Sequence, residues 1–109
     1  MAKKVMVKKV PNKSLEDLPE GHHLFVECPL PDGAVSGHIG QLAGISPGEI
    51  WLEDAAFVGH TGRRYKFLAG ELDEHAEIEP LPDRSIIRLP RWGALVTDWP
   101  FEIPRAPNK

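Results

Sequence analysis

Eleven prolines and ten glycines punctuate this 109-residue chain from end to end. Proline removes a backbone donor and glycine weakens regular elements, so no stretch is left for a long helix. The breakers restrict the chain to short strands joined by turns. At this length the chain makes one domain with a modest core, and its 41% apolar content is ordinary for a globular protein.

The segments between breakers read as strands. Residues 23–28 (HLFVEC) are rich in β-formers, and Pro29, Pro31, Asp32 and Gly33 turn the chain. Residues 34–43 are the next strand, with Gly37 and Gly40 signalling a bend or bulge. After the Ser46-Pro47-Gly48 turn, residues 49–52 and 55–60 flank the acidic pair Glu53-Asp54, as one bent strand or two short ones. Ile78 lies in a brief strand closed by Pro80 and Pro82. Residues 85–89 and 94–99 are the last two strands, bent apart by Pro90 and Gly93. About six short strands and one short helix predict a mainly-β fold, a small, strongly bent β-barrel or β-roll. Residues 1–20 are expected to be a flexible N-terminal segment; Val5, Met6, Val7 and Val10 suggest one strand there, interrupted by lysines. Residues 21–99 would form the barrel domain, and residues 100–109 an extended, proline-rich tail on its surface.

Charge is unevenly distributed. Residues 1–13 hold five lysines and no acid, whereas residues 14–83 hold fourteen acids against Arg63, Arg64 and Lys66. An acidic middle argues against a broad nucleic-acid surface, which needs a basic face. The lysine-rich start reads as a solvated terminus rather than a phosphate- or lipid-binding arm. The single cysteine, Cys28, excludes an internal disulfide and fits a reducing compartment. No segment approaches the roughly 20 apolar residues of a membrane-spanning helix. The expected location is the cytoplasm of the cell that makes the chain.

Thr61-Gly62-Arg63-Arg64 is the segment that most invites a functional reading. Thr61 is a good helix N-cap and Gly70 a good C-terminal stop, predicting about two helical turns between them. Two arginines then sit at the positive end of the helix dipole, where like charge is unfavourable. Free amides, a glycine permitting close approach and guanidinium forks suit a bound anion. The competing reading is an ion pair from an arginine back to Glu53 or Asp54, with Thr61 as a plain cap.

Residues 49–67, EIWLEDAAFVGHTGRRYKF, resemble the core of a family of short phage- and prophage-encoded proteins of unknown function. The pattern continues through Gly70-Glu71-Leu72, the turn Glu79-Pro80-Leu81-Pro82-Asp83, the strand Gly93-Ala94-Leu95-Val96, Trp99, and Ile103-Pro104-Arg105. It covers about residues 35–106. His60 stands where the family pattern has a small acidic residue, and the first thirty residues have no counterpart. The resemblance implies phage or prophage origin and no particular activity.

Other constellations carry less. His22, His23, His38, His60 and His75 show no metal-ligand spacing. The acidic pairs lie on turns, and no serine stands in a nucleophile-elbow pattern. No catalytic activity and no cofactor are therefore expected. Large aromatics are numerous for a thin domain, so some should face outward, and Trp99, Phe101 and Ile103 are expected at a homo-oligomer interface.

The sequence thus predicts a non-catalytic phage accessory binding protein. Thr61, Gly62, Arg63 and Arg64 would contact a nucleotide-type anion or a host protein, as in evasion of host defence. The alternative is a virion-associated decoration or connector subunit.

Overall fold

A computed structural model describes residues 14–108. The strand suggested at 5–10 lies outside the described residues. A 3-10 turn, Leu15–Asp17, leads into strands β1 (His23–Pro29), β2 (Val35–Ile45) and β3 (Glu49–His60). Helix α1 (Arg64–Leu68) follows, then strands β4 (Glu77–Pro80), β5 (Ile86–Pro90) and β6 (Leu95–Asp98). Among the described residues the fold is mainly β, with six antiparallel strands in one sheet and one short helix.

Of the expected barrel or roll, the closed barrel does not form. The sheet runs β4-β3-β2-β1-β6, with β5 also on β3, and its end strands β4 and β6 do not pair. The reason lies in β3. Its N-terminal half pairs β5 (Glu49↔Pro90 to Glu53↔Ile86) and its C-terminal half pairs β4 (Ala56↔Pro80 to His60↔Glu77). One edge of β3 is therefore shared by two short strands, and the sheet forks there instead of curling onward to close.

The fork is a single residue. Asp54 takes a left-handed conformation, φ 52°, in the middle of β3. Such a residue adds one position to the strand and reverses side-chain alternation beyond it. Before Asp54, the even residues Ile50 and Leu52 point into one apolar cluster, with Leu24, Val26, Cys28, Leu42 and Leu89. Beyond it, Ala55 joins that cluster, whereas Ala56 and Val58 point to the opposite side, into a second cluster. The 49–52 and 55–60 segments are thus one bent strand, and the bend lets β3 serve both cores.

The second cluster is aromatic. Phe25 on β1, Phe67 on α1 and Trp99 after β6 meet at centroid distances of 4.8–6.5 Å. Phe101 packs edge-on against Trp99 at 5.1 Å, and Ile103 packs on the same cluster. The tail is consequently an integral wall of this core. At its far end Asn108 exchanges both backbone hydrogen bonds with Ile78 of β4, each 3.0 Å. At the other end of the chain, Leu15 and Leu18 already pack on the first cluster, ahead of the expected boundary at residue 21.

Candidate functional site

Helix α1 is only five residues long, shorter than the two turns expected. Its N-cap is Arg63, not Thr61, and no side chain caps it. The Thr61 hydroxyl instead donates to the neighbouring Gly62 carbonyl at 3.0 Å. Gly62, at φ 72°, turns the chain so that the helix begins two residues later than the sequence suggests.

An anion does sit against the start of this helix, and it belongs to the chain. One carboxylate oxygen of Asp73 accepts from the Arg63 amide at 3.0 Å, the other from the His75 amide at 2.8 Å. These amides hold the Asp73 carboxyl below its usual range, the Arg63 bond contributing most. A Cβ on Gly62 would collide with this carboxylate, so the glycine is required by contact as well as by backbone conformation. The Gly62 amide is engaged too, donating to His60 Nδ1 at 2.9 Å. Of the Thr61-Gly62 amides expected to cradle a bound anion, that of Gly62 is therefore occupied from within, as is the Arg63 amide beside it.

The arginines divide. Arg64 forms a two-pronged ion pair with Glu27 on β1, at 2.6 and 3.0 Å. This replaces the expected bridge to Glu53 or Asp54. The Asp54 carboxylate accepts instead from the Arg84 amide (2.6 Å) and Gln41 Nε2 (3.1 Å). Glu27 is the nearer partner because it alternates with Phe25 on β1, on the side where Phe67 anchors the helix. Its bond to Glu27 raises the Arg64 pKa further, keeping the guanidinium charged. Arg63, by contrast, is exposed, and among the described residues no carboxylate lies within salt-bridge distance of it.

Tyr65 and Lys66 complete the exposed turn. Tyr65 is 82% exposed, the most exposed large hydrophobic side chain among the described residues. Sequence reasoning passed over both. The signal was present, because Arg63, Arg64 and Lys66 are the only bases between residues 14 and 83. The fold places all three on one convex turn, held by the fully buried Phe67.

Of the expected interface trio, Trp99 is buried, whereas Phe101 and Ile103 are half-buried and pack against the aromatic cluster. Trp99 is 1% exposed, and its indole N–H donates to the Glu102 carbonyl at 3.2 Å. Phe101 lies over Gly70, where a Cβ would meet its ring at 2.7 Å, and its carbonyl lies 2.7 Å from His23 Nδ1. These side chains turn inward because the sheet is open, and its aromatic cluster needs a wall where a closed barrel would have had a strand. The outward apolar residues are others, including Trp92 in the β5–β6 turn, Leu95 and Val35.

Among the described residues no group of three His, Cys, Asp or Glu side chains converges as a metal site, and no helix is long and apolar enough to cross a membrane. Comparison with protein-family models, curated proteins and solved structures finds no match to this chain.

Proposed function

We propose that this chain is a non-catalytic binding module of phage or prophage origin that presents Arg63, Tyr65 and Lys66 to an acidic patch on a host protein. The observation that carries this reading is the segregation of charge. Every base between residues 14 and 83 is on one exposed turn, while the Gly62 and Arg63 amides at its start are already taken by His60 and Asp73. Charge is therefore offered outward by side chains, on a convex knob rather than in a cavity. That shape suits a macromolecular surface better than a small nucleotide-type anion. Tyr65 adds a rigid amphipathic contact of the kind that dominates interfaces. Arg64 is neutralised by Glu27 and is not offered to a partner.

A labelled poly-glutamate peptide, followed by fluorescence anisotropy, tests this. Arg63→Ala and Lys66→Ala should each weaken binding about 2- to 5-fold, as expected for exposed charge pairs, with the unfolding midpoint unchanged. Equal affinity for the double variant and the parent would defeat the proposal. A second reading, a virion subunit that self-assembles, is favoured by Trp92, 79% exposed, close to exposed Leu95 at the β6 edge. Native mass spectrometry of Trp92→Ser separates the two, because only an assembled subunit would lose mass.

A further inference from the structure

The side of the sheet facing away from α1 carries an open groove across β3 and β4. A cavity of about 700 Å³ lies between Phe57, Glu79, Leu81, Pro82 and Arg105. A smaller one of about 140 Å³ continues it past Gly59 to Glu77. Phe57 lines both and is 39% exposed. The missing side chain of Gly59 makes the join. A Cβ there would stand 3.3 Å from both Glu77 Oε1 and the Phe57 ring edge, so carboxylate and ring converge over bare backbone.

The charges of the groove are unbalanced. Among the described residues no base lies within salt-bridge distance of Glu77 or Glu79. Arg105, on the wall, is committed to the carbonyls of Asp54, Ala55 and Leu81 and to the Asp83 carboxylate. His38 packs edge-on beneath Phe57 at 5.4 Å, and burial pushes its imidazole pKa down, so it brings no positive charge at neutral pH. An aromatic ring beside two carboxylates receives a lysine well. The alkyl stem lies on the ring and the open glycine, and the ammonium reaches the acids.

This chain carries a segment of that chemistry. Residues 1–13 hold five lysines and no acid, interspersed with Val5, Met6, Val7 and Val10. Leu15 and Leu18, immediately downstream, pack on the same apolar cluster as Leu81 of the groove wall. Thirteen extended residues span about 45 Å, more than the 36 Å greatest extent of the fold. Tethering also places the segment at an effective concentration of order millimolar. We propose that residues 1–13 dock in cis on the Phe57 groove, with lysine ammonium groups against Glu77 and Glu79.

Paramagnetic relaxation in the full chain tests this, using a nitroxide at Lys4→Cys; Cys28 is buried and does not compete for the label. Amide signals of residues 57–59 and 77–79 should broaden most at low salt, and recover at about 0.5 M salt, where the screening length is only a few ångströms. They should also recover when Glu77→Lys and Glu79→Lys are combined, or, if that variant does not fold, partly with Glu79→Gln. Unbroadened signals at residues 57 and 79, or broadening centred on α1, would overturn the proposal. Broadening that disappears when labelled protein is diluted into unlabelled protein would also overturn it, since the contact would then be between copies.

Discussion

The corner at Asp54 and the turn at Gly62 are built from the same parts and end in opposite roles. Each has a left-handed residue, an aspartate that accepts at least one backbone amide, and arginines close by. At the corner, Arg105 meets four oxygen acceptors between 2.7 and 3.2 Å, three of them backbone carbonyls. At the turn, Asp73 has the amides, Glu27 has Arg64, and Arg63 is left facing outward. What separates a structural arginine from one offered to a partner is the number of acceptors the surrounding backbone supplies. Beside the Asp83 carboxylate, which takes one bond, carbonyls around a forked strand take up most of one guanidinium. A tight turn closed by its own aspartate has none to give.

That contrast can be broken most forcefully at the anchor of the turn. Phe67→Ala removes a fully buried ring that touches Phe25 and Trp99, and should cost about 3–5 kcal/mol in urea unfolding. The exposed turn would come loose with it, so a small loss would mean the turn is held by the Arg64–Glu27 pair instead. Arg105→Ala comes next. It leaves the Asp54, Ala55 and Leu81 carbonyls without this partner, and because the side chain is partly exposed, water replaces some of what is lost. A cost of about 1–3 kcal/mol is expected, with hydrogen exchange accelerated at residues 54–56 and 81. A loss as small as that from Arg63→Ala would erase the distinction between the two arginines.

The smallest effect is one of pH. The folded-state pKa of Asp73 lies below its unfolded value, so its stabilising contribution is complete above the ordinary carboxylate range and is lost as pH falls through the folded value. The gap in unfolding midpoint between the parent and Asp73→Asn should therefore be widest near pH 6 and close toward pH 3. A gap independent of pH would show that the shape of the side chain, rather than its charge, holds the turn.

The strands were legible because β-formers lie between clear breakers, and five of the turns carry a proline or glycine. Gly70, at φ 87°, stops the helix as its position suggests. The openness of the sheet was not legible. Closure depends on whether β4 and β6 meet, and that is set by how two short strands share one edge of β3. Local alternation is silent on that point. Asp54 shows the limit well: Glu53-Asp54 stood out as an interruption, but only its backbone conformation reveals that alternation reverses there. The Glu27 partner of Arg64 was hidden by a sequence separation of 37 residues. Asp73, ten residues beyond Arg63, was open to a closer reading, because an aspartate two positions before His75 is a common turn-former.

The tail described above as a wall has a consequence for the order of assembly. Trp99 completes the aromatic cluster begun by Phe25, Arg105 secures the corner at Asp54, and Asn108 pairs with Ile78. Early strands thus depend on partners some thirty to seventy residues later in the chain. Contacts so distant carry a high loop-closure cost and slow the search for the native state. On the ribosome, the forked sheet cannot be locked until residues 99–108 have emerged. The first eighty residues would wait with an exposed aromatic face, and chaperone binding or aggregation would compete with folding for that interval.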